Sequence, residues 1–366
     1  MRLRALKIAG AFLLVALGVV AWILRGPSID GVGVRTNSDV AIAPGEPGWD
    51  DTVQVRSLGV AGWLVRRGDD AFLTGPLYSF ATPDRLLGLR SVVPSQEAFD
   101  AHHPKDAPGV KVVIAAHAHY DHALYVPFAL QAHPGATAYG SSTLKHILAG
   151  YGLGDRAVAL DAKVDSRNNA PRGEGCEPFP PQAGEWEYVP GSRLRIRPIA
   201  HHHAAQVLGV WHLWPGCLDA DFTAPPTRAS EWVEGPTFAY LIDFLAEDGV
   251  TPVWRVYYQD SPVDGTSGTV PDDILAERPV DLAFLGVGNY DRADRPESAV
   301  ANLKPAHVLL HHWENFFWGD PRTSLRQIPL HDAATYKRTV RAELDKLGGP
   351  RTLDIVGPDV LLRFDP

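Results

Sequence analysis

His117-Ala118-His119-Tyr120-Asp121-His122 places three imidazoles and a carboxylate within six residues, directly after the apolar run 110–116. Val112, Val113 and Ile114 are β-branched and the run is short, which predicts a buried strand. His117 and His119 are two apart, so extended backbone sends both to one side, where they can share one metal ion. Asp121 and His122 lie past the strand end, where a turn can aim them at a second ion. Neutral imidazole nitrogens and carboxylate oxygens are the donors that zinc and similar divalent metals prefer.

Three later segments also carry metal-type ligands at the end of an apolar stretch. Residues 193–200 alternate as a strand, with Pro198 near the end, and run into His201-His202-His203. Residues 238–244 and 253–258 predict two strands across a turn containing Asp248-Gly249, and the second ends in Gln259-Asp260-Ser261. Residues 307–310 lead into His311-His312-Trp313-Glu314. In this order the four segments resemble the metallo-β-lactamase superfamily of metallohydrolases, over roughly residues 55–320. The resemblance implies a four-layer αββα sandwich in the α/β class, with two central sheets flanked by helices and the metals at one edge.

It also implies a site. Two divalent ions, zinc first, would be held by His117, His119, Asp121, His122, His203, Asp260 and His312, with Asp260 bridging them. In the triple histidine, His203 precedes a small residue as in some relatives, while His201, three after a proline, is the alternative. In the last segment His312 begins His-Trp-Glu-Asn-Phe-Phe, which resembles a family pattern, and His311 is the alternative. Asp121 and Asp260 are the candidate catalytic carboxylates, and Trp313 and Phe316 the candidate substrate wall. The implied activity is hydrolysis of an ester, amide, lactone or phosphodiester by a metal-bound hydroxide. A redox or non-catalytic metal-binding member of the same fold is the alternative. The chain departs from the family in Thr74-Gly75-Pro76-Leu77-Tyr78-Ser79, where glycine replaces an early aspartate that stands near the metals in relatives.

Composition bounds the rest. A chain of 366 residues that is 45% hydrophobic can bury a large core. With 21% charged residues of mixed sign it is not a disordered chain. A net charge of −9 without a basic stripe argues against nucleic acid as a partner and leaves a small-molecule or lipid-like substrate. Arg2, Arg4 and Lys7 precede the uncharged run 8–24, which Arg25 closes. Seventeen residues reach the lower end of the ~17–25 that span a bilayer. Residues 1–26 are therefore expected as a signal-anchor helix, 27–54 as a linker, and 55–366 as the hydrolase domain. Positive flanking charge would keep the N-terminus cytoplasmic and the domain periplasmic or at the cell surface; cleavage of the segment would make the protein secreted. Cys176 and Cys217, the only cysteines, can form a disulfide or remain two thiols. Helices are expected at 126–132 and 142–149, the second capped by Ser141 or Ser142 and stopped by Gly150. Residues 220–235 read as a long loop among Trp211, Trp214, Phe222 and Trp232. His102, His103, His133, His146, His212, His307 and His331 are expected to be structural or surface imidazoles, and Glu314 is a candidate to orient a ligand.

Overall fold

The computed structural model describes residues 24–104, 107, 109–164, 182–205, 212–261, 267–287, 296–329 and 331–365. Two seven-stranded mixed sheets carry the architecture. The first contains β1 (Val53–Gly59), β2 (Gly62–Arg67), β3 (Asp70–Thr74), β4 (Val110–Ile114), β5 (Thr137–Gly140), β6 (Ala157–Ala159) and β14 (Leu361–Phe364), in the order β14-β1-β2-β3-β4-β5-β6. The second contains β7 (Glu187–Tyr188), β8 (Leu194–His201), β9 (Thr237–Leu245), β10 (Pro252–Gln259), β11 (Leu282–Gly286), β12 (His307–His311) and β13 (Thr352–Ile355), in the order β13-β12-β11-β10-β9-β8-β7. β3 to β6 pair in parallel, as do β10 to β13, and the remaining pairs are antiparallel.

Side-chain alternation explains why the sheets stack. Along β9, Phe238, Tyr240, Ile242 and Phe244 enter the layer between the sheets, while Ala239 and Leu241 face outward. Along β4, Val112 and Ile114 enter that same layer and Val113 faces the other way. Both faces of these strands are buried, so the strands read as continuous apolar runs rather than alternating ones. The outer face of the first sheet packs on α1 (Gln96–His102), α2 (Tyr120–Ala123), α3 (Val126–Ala132) and α4 (Ser142–Ala149). The outer face of the second packs on α5 (Asp272–Glu277), α6 (Glu297–Leu303) and α7 (Ala333–Leu347). Three cores between four layers give the αββα sandwich. The capping expected for α4 is present: Ser141 accepts from the Leu144 N–H, and Gly150 is the C-cap.

Of residues 27–54, expected as a linker, 53–54 begin β1 and 27–52 lie along this sandwich. Val32, Ile42 and Trp49 are buried, the Arg35 N–H donates to the Ile355 carbonyl, and Gln54 exchanges two hydrogen bonds with the Ile42 backbone. The expected anchor, residues 1–26, lies outside the described residues except for 24–26. Among the described residues no helix is long and apolar enough to cross a membrane. Trp211 and Cys176 also lie outside the described residues; Cys217 is disulfide-bonded.

On the outer face of the second sheet, Asp243 sits fully buried between two guanidinium groups. Arg255 donates to it through Nε and Nη2, each at 2.7 Å, and Arg195 through Nε at 2.9 Å; Glu277 of α5 closes the network. Removing one member of a buried charge network leaves the others uncompensated. Asp243→Ala is therefore expected to lower unfolding free energy by about 3–5 kcal/mol in denaturant titrations. Metal content of the folded fraction should not change.

Candidate metal centre

The site forms where the strand ends of both sheets meet. β4 ends at Ile114, and after two small residues the chain delivers His117 and His119; α2 then begins at Tyr120 and carries Asp121 and His122 inward. β8 ends at His201 and leads to His203, β10 ends at Gln259 and leads to Asp260, and β12 ends at His311 and leads to His312. Donor atoms of His117, His119 and His203 lie within 4.8 Å of one another, and so do those of His117, Asp121 and His122. Asp260 stands between the two groups, with Oδ1 3.2 Å from His117 Nδ1 and Oδ2 3.1 Å from His122 Nδ1. His312 Nε2 is 3.2 Å from His122 Nε2 and 3.4 Å from Asp121 Oδ2.

Local backbone decides between the adjacent histidines. His311 remains in the strand, fully buried, with Nε2 2.8 Å from the Gln259 carbonyl. His312 takes a positive φ of 57°, and its N–H donates to Val60, itself at φ 55°. Left-handed backbone at non-glycine residues costs free energy and persists where the surroundings impose it. Here it swings the His312 ring away from the strand face and toward Asp121. In the triple histidine, His201 is buried beside Ser267, with Nδ1 2.7 Å from the His202 N–H, while His203 stacks edge-on against His117 and His119.

The donor set fits a cation. His117 Nε2 and His119 Nε2 are buried and make no hydrogen bond, and the buried His122 Nδ1 and Asp260 Oδ2 meet only each other, at 3.1 Å and outside hydrogen-bond geometry. Orphaned polar atoms are rare in native interiors, so several converging at one point call for a ligand that satisfies them. Burial holds His117 and His203 well below the ordinary imidazole range and His119 at about 4, leaving them neutral, the state that binds metal. His122 goes the other way: burial opposes its charge, but Asp260 and Asp121 overcome that and raise it to about 9. A proton there occupies the place of a positive charge between two carboxylates.

Gly75 explains the departure on the early strand. A Cβ at this position would overlap the His122 carbonyl oxygen and crowd its backbone carbon and Cα. The space that an acidic side chain would need is filled by the ligand segment itself. Gly75→Ala is expected to push His122 out of register and to weaken metal binding by about 10–100-fold, the range seen when groups around ligands are lost. Competition titration with a chromophoric chelator measures this; unchanged affinity would show that the segment yields freely.

A cleft of about 790 Å³, including its open mouth, exposes the site. His119, Asp121, His203, Asp260 and His312 form its floor, and Leu86, Tyr120, Leu213, Trp214, Phe316, Phe317 and Ile328 are among its walls. Phe316 is thus in the wall. Trp313 is a correction: it is 1% exposed in the core of the second sheet, where its Nε1 donates to the Val356 carbonyl. Its neighbour His312 turns into the site, and the next side chain points the opposite way. Glu314 is also buried, and burial raises its carboxyl to about 8. His331, read as structural, lines the cleft, and His212 lies 3.8 Å from Glu234 in a group that shares His203. Burial raises Glu234 to about 7. No spacing pattern marks Glu234, which comes from the loop after Trp214; Tyr120 lies inside the first motif but carries no metal-type donor to mark it.

No family model and no curated protein matches this chain. Solved structures do. Igni18, a metallo hydrolase from Ignicoccus hospitalis, is 15% identical over 86% of this chain and 99% of its own, with a TM-score of 0.48. The metallo-β-lactamase fold protein YhfI from Bacillus subtilis is 14% identical over 86% of this chain and 100% of its own, at 0.43. CmlA, a diiron β-hydroxylase from Streptomyces venezuelae, is 14% identical over 87% of this chain and 54% of its own, also at 0.43. Such low identities and TM-scores leave the chemistry to be argued from this chain's own residues.

Proposed function

We propose that the protein is a metal-dependent hydrolase of neutral, apolar esters, lactones or amides, with two divalent ions, zinc first. The observation that carries this reading is the set of buried, unsatisfied imidazole and carboxylate atoms at the floor of an apolar cleft. His117, His119 and His203 would hold one ion, Asp121, His122 and His312 the other, and Asp260 would reach both. Ions in such a site lower the pKa of water and polarise a scissile carbonyl. The chain supplies the rest. Asp260 fixes the spacing of the two ligand groups, the walls exclude bulk water, and the apolar side chains orient the acyl portion. No lysine or arginine lines the cleft among the described residues, which disfavours substrates carrying several phosphate charges.

The N-terminal segment is proposed as a membrane anchor on its sequence: three basic residues, an uncharged run over 8–24, and Arg25. The catalytic domain then lies outside the cytoplasm, and the disulfide-bonded state of Cys217 accords with an oxidising compartment. The test is elemental analysis of the purified chain with a panel of neutral carboxylic esters, lactones, amides and phosphodiesters, before and after chelation. Two ions per chain, loss of hydrolysis with the ions and recovery on adding zinc are expected. Hydrolysis that survives complete metal removal would defeat the reading.

A further inference from the structure

Leu24 to Ser28, where the apolar N-terminal run ends, is bound to the segment that walls the cleft. Asn315 Nδ2 donates to the Leu24 carbonyl at 2.8 Å and Arg326 Nη1 to Gly26 at 3.2 Å. Gln327 donates its N–H to Pro27 at 3.0 Å and Nε2 to Ser28 at 2.6 Å. Asn315 directly precedes Phe316 and Phe317, and Gln327 directly precedes Ile328, all three of which line the cleft. The end of the run is therefore fixed to the cleft wall with no slack between them.

Part of the exposed apolar surface adjoins residues of this cleft in sequence. Seven large apolar side chains are exposed among the described residues, and three flank cleft residues: Leu87 (77%) and Leu89 (75%) follow Leu86, and Trp318 (45%) follows Phe317. Apolar surface concentrated beside a site marks contact with a partner or a membrane. Trp is suited to the headgroup level, where one end of the side chain is apolar and the other is wet.

We propose that the mouth of the cleft faces the bilayer that holds residues 8–24. Leu87, Leu89 and Trp318 then sit in its headgroup–acyl boundary, and substrate enters from the membrane. This rests on the anchor reading given above. Water-borne access would leave two leucines exposed for no gain, whereas lipid would bury their apolar surface.

The test uses the full chain reconstituted in phosphatidylcholine–phosphatidylglycerol vesicles. An environment-sensitive fluorophore is attached in turn to Leu89→Cys, Trp318→Cys and Val250→Cys. Val250 is exposed on the turn between β9 and β10, at the end of β10 remote from Asp260. Vesicles should blue-shift the probes at 89 and 318, and a lipid-borne quencher should dim them severalfold more than the probe at 250. Protein that floats with the vesicles while all three probes stay in water would overturn the docking and keep the anchor. Protein that does not float would overturn both. Probes at 89 and 318 shielded without vesicles, with a doubled mass, would assign the patch to a second copy of the chain and overturn the proposal.

Discussion

Asp260→Ala is expected to cut bound metal from two ions to one or none and to lower hydrolysis by about 10³-fold or more, since several kcal/mol of charge stabilisation goes with the ions. Asp260 contacts both ligand groups, through His117 at 3.2 Å and His122 at 3.1 Å. Its loss therefore acts on both ions, where His117→Ala acts first on one. The variant should still fold. Asp260 is fully buried, burial raises its carboxyl to about 6, and without metal its charge is a burden on the native state. The sign follows: a buried carboxyl with a raised pKa loses stability as pH rises from its unfolded value through about 6. Metal-free Asp260→Ala sheds that cost but also loses the carboxylate that helps hold His122 at about 9, so thermal unfolding should place it near the metal-free parent at neutral pH. Elemental analysis, near-ultraviolet circular dichroism and steady-state kinetics on one preparation separate metal loss from misfolding. Two ions retained with full activity would remove Asp260 from the centre.

The strands that carry ligands are legible because they are largely buried on both faces, which leaves mostly apolar runs, interrupted by Lys111, Arg195, Arg197 and Arg255, with the metal-type donors gathered at their ends. β9 and β10 differ by one residue at each end from the expected 238–244 and 253–258, and the helix expected at 126–132 is observed over Val126–Ala132. The packing of residues 27–52, within the expected linker 27–54, is hidden in the sequence for a physical reason. Their contacts are long-range single hydrogen bonds to β13, β14 and the segment around Gln327, which leave no local period in the sequence. Trp313 failed for another reason. Its orientation depends on the φ of 57° at His312, and nothing in the residue type of histidine announces left-handed backbone. Gly75 could be seen as a departure, but the close approach of the His122 carbonyl that requires it appears only in three dimensions.

The paired histidines give the sharpest discrimination, because each pair combines one ring in the site with one that packs behind it. His203→Ala should remove at least one ion and lower activity by more than the ~10–100-fold of an orienting contact, since a catalytic ion needs three protein donors. His201→Ala should retain both ions, because His201 ends β8 beside Ser267 and the His202 backbone and lies outside both ligand groups. The second pair behaves alike, with one difference. His312→Ala removes the imidazole 3.4 Å from Asp121 Oδ2 and should empty the second position. His311→Ala instead strips the Gln259 carbonyl of its buried partner at 2.8 Å, a loss of about 1–3 kcal/mol in stability. Gln259 precedes Asp260, so that variant should also show a modest fall in metal affinity, which excess zinc should rescue. His312→Ala should resist such rescue because the donor itself is gone. Metal-poor His201→Ala beside a metal-replete His203→Ala would place the third ligand two residues earlier, at the end of β8 itself.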